Sequence, residues 1–129
     1  MKTFEKRIIV SLEDLDDLDH VNNVRYVQWI QDISKEHWQT VAPDELKAGI
    51  IWVVRNHNID YKSSAILGDE ILLRTRIVDT KGAISVRRVE MSNSKTNDLL
   101  VRSNTEWCLL NANTLKPIRI SEAIKEVFT

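Results

Sequence analysis

Between Asp14 and Tyr26 the chain reads Asp-Leu-Asp-Asp-Leu-Asp-His-Val-Asn-Asn-Val-Arg-Tyr. Asp14, Asp16, Asp17, Asp19, His20, Asn22 and Asn23 all fall within ten positions. A carboxylate can take a proton from water or attack an electrophilic carbonyl carbon. The amides of Asn22 and Asn23 can donate hydrogen bonds or cap a helix. A helical pattern begins where this cluster ends, and a helix start presents unpaired N–H groups and the positive end of its dipole. Those are the needs of an oxyanion, so a carboxylate beside such a terminus suits acyl transfer.

Three plainer readings compete. A solvated acidic loop that caps a helix is the common explanation for a charge run. In a calcium loop Asp14 and Asp16 would fit the first and third ligand positions. Leu18 then fails the fifth, Asp19 replaces the turn glycine, and Arg25 stands where the bidentate acid belongs. A His/Asp metal site lacks a second nearby histidine, so no metal is expected.

The elements that must position the cluster follow from periodicity. Phe4 to Leu12 reads as a strand centred on Ile8, Ile9 and Val10, followed by an acidic loop from Glu13 to Asp19. From about Asn22 to Val41 the pattern is helical, with Tyr26, Ile30, Ile33 and His37 on one stripe. Val27, Trp29 and Trp38 broaden that stripe, so the helix is expected to be buried on more than one side, and Pro43 ends it. Four strands follow, at Gly49 to Tyr61, Glu70 to Asp79, Ala83 to Ser92 and Leu99 to Asn111. Turns fall at Leu67-Gly68-Asp69, Thr80-Lys81-Gly82 and Lys95 to Asp98. Ser121 reads as the cap of a short last helix.

The expected architecture is α+β: one long helix wrapped by a curved antiparallel sheet of about five strands, a single domain over residues 1–129. One such sheet leaves edges to cover, so a homodimer that extends the sheet, or a homotetramer, is expected.

Composition narrows the function classes. The chain has 129 residues, 43% hydrophobic and 29% charged, with a net charge of −1, an ordinary balance for a globular domain. No apolar run is long enough for a membrane helix, and Glu5, Lys6 and Arg7 interrupt the place of a signal-peptide core, so a cytoplasmic location is expected. Scattered basic residues give no nucleic-acid footprint. Cys108 is the only cysteine, which excludes an internal disulfide, and its apolar run reads as strand core. His37 reads as a satisfied helix residue and His57 as a partly exposed strand residue. Arg87-Arg88 alternates across a strand, so at most one of the pair can face a ligand, and a solvated face is the preferred reading.

The segment Asp14-x-Asp16-x-x-Asp19-His20-Val21-Asn22-Asn23-x-x-Tyr26-x-x-Trp29 resembles the D-x-D-x-x-G-H-V-N-N-x-x-Y signature of the hotdog thioesterases. That family includes the 4-hydroxybenzoyl-CoA type and the long-chain acyl-CoA thioesterases. The wording DLDxxxHVNNVxYxxWI is similar to the acyl-ACP thioesterases of plants and bacteria. A thinner likeness continues through Ile59-Asp-Tyr61, Gly68-Asp69-Glu70 and Pro117 to Ser121.

The resemblance implies a hotdog fold and hydrolysis of an acyl-CoA or acyl-ACP thioester, with no redox or metal cofactor. It implies Asp16 as general base or nucleophile, and His20 as the residue that orients the site or polarises the carbonyl. Asn22 and Asn23 lie at the helix start, where the Asn23 N–H matches the donor to the thioester oxygen. Tyr26 and Trp29 read as core. The pattern departs at Asp19, which replaces the usual glycine. It departs again at Leu18, where acyl-ACP thioesterases carry an asparagine counted as catalytic. Those enzymes join two hotdog units, whereas this chain has one. A non-catalytic acyl-binding hotdog module is the alternative, and no hotdog dehydratase motif is evident.

Overall fold

The computed structural model describes residues 2–129. Strand β1 (Phe4–Ile9) leads through one 3₁₀ turn (Leu12–Asp14) to helix α1 (Asn23–Val41) and a short α2 (Asp44–Lys47). Strands β2 (Ile50–Tyr61), β3 (Glu70–Lys81), β4 (Ile84–Asn93) and β5 (Leu99–Asn111) follow, and α3 (Glu122–Glu126) closes the chain. The five strands form one sheet in the order β1-β3-β4-β5-β2, with every pair antiparallel. Register shifts between Val54 and Asn56, Ile77 and Asp79, and Met91 and Ser92 interrupt the ladders. Extra residues of this kind add local twist and bend, which lets the sheet curl around a helix.

Helix α1 forms where the pattern places it. The Asn22 side chain accepts from the Val24 N–H, and Ala42 leaves helical geometry immediately before Pro43, as a residue preceding proline must. Tyr26, Ile30, Ile33 and His37 are all buried, each apolar member contributing about 1.5–3 kcal/mol by its removal from water. One apolar cluster packs the first half of α1 against Ile71, Leu73, Val89, Met91 and Val101. A second gathers Trp38, Ile77, Leu109, Ile124 and Phe128 around its far end.

Several local expectations change. Strand β1 stops at Ile9, because Ser11 and Asp14 close the 3₁₀ turn. Pro43 ends α1 but also opens α2, with Asp44 and Glu45 in the first turn and Lys47 in the last, charges that suit the helix dipole. Thr80 and Lys81 extend β3, leaving Gly82 at φ 61° to make the turn. Cys108 is half-buried on β5.

The largest correction concerns Arg87. Only 4% exposed, it lies on the inner face with Ser85, Val89 and Met91, while Arg88 points outward and donates to Asn104. The solvated-face reading therefore fails for Arg87. The apolar Ile84 and Val86 take the outer parity instead.

Candidate active site at the start of the long helix

The acidic segment is folded into a closed loop by its own side chains. Asp14 is 5% exposed, and its carboxylate accepts from the Ser11 N–H at 2.9 Å, the Ser11 hydroxyl at 3.1 Å and Arg25 Nε at 2.6 Å. Burial pushes this carboxyl up, but the hydrogen bonds from Ser11 and Arg25 outweigh it and hold Asp14 below the usual carboxylate range. Its carbonyl accepts from the Asn22 N–H at 2.9 Å. Leu15 pairs with Val21 across the loop. Asp14 is thus the clamp of the loop, eleven residues from its arginine.

Asp16 sits just inside that clamp, half-buried. Its Oδ1 accepts from the Leu18 N–H at 2.8 Å and the His20 N–H at 3.1 Å, and its own N–H donates to the His20 carbonyl at 2.7 Å. Oδ2 has no hydrogen-bond partner among the described residues. One carboxylate oxygen therefore shapes the loop and the other is open to a substrate or a water.

Asp19 explains one departure from the signature. It adopts φ 60°, the left-handed region that glycine enters freely and aspartate tolerates better than most residues. The backbone geometry that asks for glycine is kept, and Asp19 bears its modest strain.

His20 is exposed and is positioned by its backbone, in a bridge to Ile66. Its imidazole makes no hydrogen bond among the described residues, so within one chain it does not engage the Asp16 carboxylate. Asn22 is the helix cap, its Oδ1 3.0 Å from the Val24 N. Asn23 is the first helical residue, and its N–H has no acceptor among the described residues. Arg25 N–H returns to the Asn22 carbonyl at 2.8 Å.

A second segment fixes the loop in space. Val21 N–H donates to the Ala65 carbonyl at 3.0 Å, and the Ala65 N–H donates to the Tyr26 hydroxyl at 3.1 Å. Tyr26 is 2% exposed and meets Trp29 edge-on at 5.6 Å, so both belong to the packing that anchors the helix start. Around the loop, Leu18 (75% exposed), Val24, Ile66 and Leu67 leave apolar surface open to solvent.

Sequence reading passed over Asp14 as a structural residue because an eleven-residue spacing across a loop carries no periodic signal. It also missed the buried polar group at the other end of α1. There Arg87 Nη1 donates to His37 Nδ1 at 2.9 Å and to Thr75 Oγ1 at 3.0 Å. His37 is 1% exposed and stacked on Phe4 at 5.0 Å. Burial, and then the Arg87 charge, pull it down to about 4, so it is a neutral acceptor for Arg87. His57 donates to or accepts from Thr105 at 2.7 Å, and burial pulls it down too. Neither histidine lies in the Asp14–Tyr26 loop. Among the described residues no three His, Cys, Asp or Glu side chains gather as a metal site, and no helix is long and apolar enough to cross a membrane.

The family model described as the acyl-ACP thioesterase N-terminal domain matches residues 1–128. Among solved structures the chain is similar to a thioesterase from Thermus thermophilus complexed with coenzyme A and Zn. The two are 25% identical over 96% of this chain and 90% of that one, with a TM-score of 0.84. It is similar to the DHNA-CoA thioesterase of Staphylococcus aureus at 23% identity, 98% and 91% coverage and TM-score 0.85. The 12:0-ACP thioesterase of Umbellularia californica is 16% identical with TM-score 0.85, covering 98% of this chain but 51% of that one. The shared architecture is the hotdog fold, the α+β class expected. No curated protein sequence matches the chain.

Proposed function

The chain belongs to the acyl-ACP thioesterase N-terminal domain family, and on that premise we propose that it hydrolyses an acyl thioester of coenzyme A or acyl carrier protein. The products are a free acid and a thiol. The observation that carries this reading is Asp16, held with one carboxylate oxygen open on the loop that runs directly into α1, whose first N–H, at Asn23, has no acceptor among the described residues.

In the reaction the thioester carbonyl oxygen accepts from the Asn23 N–H at the positive end of α1. Water then adds to the carbonyl carbon as Asp16 takes its proton, or Asp16 attacks directly and water opens the resulting anhydride. In either route the C–S bond breaks and the thiolate leaves to be protonated. His20, exposed on the loop and not hydrogen-bonded to Asp16, orients the site or polarises the thioester carbonyl in this reading. Asn22 keeps the helix start in register, and its amide NH₂ remains free to donate. Asp14 and Arg25 hold the loop.

The exposed apolar collar of Leu18, Val24, Ile66 and Leu67 supports a site completed by a second copy. Strand β2 is a twelve-residue edge with Ile51 and Val53 exposed, and an uncovered edge of that length invites pairing. We therefore infer a homodimer joined along β2, or a tetramer of such dimers, acting in the cytoplasm.

A panel of acyl-CoA and acyl-ACP thioesters, followed by free thiol, tests the activity. Turnover of at least one member is expected. Saturable binding of acyl thioesters with no thiol release at any chain length would instead identify a non-catalytic acyl-binding module.

A further inference from the structure

The far end of α1 holds a cavity of about 290 Å³ between the helix, the start of β2 and the inner face of β4 and β5. It shares no lining residue with the Asp14–Tyr26 loop. Its walls are aromatic, from Trp38, Trp52, Trp107 and Phe128, and its charged lining is entirely cationic: Arg87, Lys35 and Lys47. Among the described residues the one carboxylate tied to that lining is the exposed Asp44, 3.7 Å from Lys47 Nζ. Lys47 also donates to the Gln39 carbonyl at 3.1 Å.

Arg87 is the unusual member. A guanidinium 4% exposed is normally matched by a carboxylate, because a buried charge left unpaired is strongly destabilising. Here its partners are all neutral: His37 Nδ1, Thr75 Oγ1 and the Phe128 ring, 5.3 Å from the guanidinium carbon. No Asp or Glu pairs with it among the described residues. Nη1 serves both of its hydrogen bonds. Nε and Nη2 have no hydrogen-bond partner among the described residues, and Arg87 lines the cavity. Burial pulls Arg87 down only to about 10, and it remains a cation at neutral pH.

We propose that this cavity is a binding site for a small monocarboxylate with an apolar body, its carboxylate held by the unpartnered edge of Arg87. An anion supplies the missing counter-charge and matches the guanidinium fork with two parallel hydrogen bonds. The aromatic walls take the apolar body, and Lys35 and Lys47 draw the anion to the mouth. A plain hydrocarbon tail would leave Arg87 unpaired and dry. The volume lies just under the ~300–1,000 Å³ usual for drug-sized ligands, which limits the occupant to a short chain or a single ring.

Three of the four tryptophans line this cavity, so intrinsic fluorescence reports its filling in the full chain. Octanoate and 4-phenylbutyrate are titrated beside octanol. A saturable change with at least one carboxylate is expected, with octanol at least ~10-fold weaker. Arg87→Met should lose at least ~10-fold in affinity. The surface double variant Lys35→Glu/Lys47→Glu, which leaves the core untouched, should lose several-fold at low salt. Asp16→Asn should bind as the parent does, which separates this site from the thioesterase reading. Octanol binding as tightly as octanoate, no saturable change with either carboxylate, or unchanged affinity in the Lys35→Glu/Lys47→Glu chain would overturn the proposal.

Discussion

The two ends of α1 handle polar groups in opposite ways. At its start, Asp14–Tyr26 is a surface loop whose side chains satisfy one another and leave one Asp16 oxygen and the Asn23 N–H available. At its far half, His37, Thr75 and Arg87 are buried between sheet and helix, with Phe4 and Phe128 packed on His37 and Arg87 lining the cavity. The first arrangement keeps reactive groups in contact with solvent at little cost, because water can solvate whatever the protein does not. The second carries a full charge into a low-dielectric region on neutral partners alone. The open end therefore suits the proposed chemistry, and the closed end carries a charge without a counter-ion among the described residues.

That contrast makes stability depend on acid through His37. His37 titrates near 4 when folded against about 6.5 unfolded. Between those values the unfolded chain binds the proton and the folded chain does not, so stability is full above about pH 6.5 and falls as pH drops toward 4. The loss is expected to reach at most about 3 kcal/mol. Urea unfolding at pH 7.5 and 4.5 measures it, and His37→Gln should flatten most of the difference. An equal fall in the variant would move the acid sensitivity elsewhere.

The loop is held by a smaller term. Asp14→Ala removes three hydrogen bonds from a buried carboxylate whose partner Arg25 keeps a side chain 39% exposed. A stability loss of about 2 kcal/mol is expected, below the cost of breaking a fully buried pair. Thermal unfolding that leaves Tm within a degree of the parent would show that Asp14 is not the clamp. Smallest is Asp19→Gly. Relief of φ 60° should stabilise by about 0.5 kcal/mol, set against the added freedom of the unfolded chain. A clear destabilisation would mean that the Asp19 side chain holds the loop by contacts beyond its backbone shape.

Much of this arrangement was legible in the residues themselves. The β-branched centre of β1 and the strand-length runs between turn residues marked all five strands, and Asn22 followed by the Tyr26-Ile30-Ile33-His37 stripe marked α1 to within a residue. Helix and strand periods are local signals, so they survive without knowledge of the partner surfaces. What was illegible depended on tertiary context. In Ala83 to Ser92 both parities contain apolar residues, and which one faces the helix is set by pairing with β3 and β5. Arg87 stands opposite Ile77 and Thr105, and no pattern within β4 reveals that. The short α2 was hidden by the proline that ends α1. The loop cluster was visible as a set of residue types. The split of labour between Asp14 as clamp and Asp16 as the open carboxylate needed the hydrogen bonds.

The central claim is that Asp16 does chemistry on a loop that other groups hold in shape. Asp16→Asn tests it directly, because the asparagine Oδ1 can still accept from the Leu18 and His20 N–H groups while the base or nucleophile is gone. Thiol release from the best acyl thioester and thermal unfolding are measured on the same preparation. A rate loss of at least ~100-fold with an unchanged Tm is the predicted result. An unchanged rate would contradict the account and reduce Asp16 to a loop-closing acceptor.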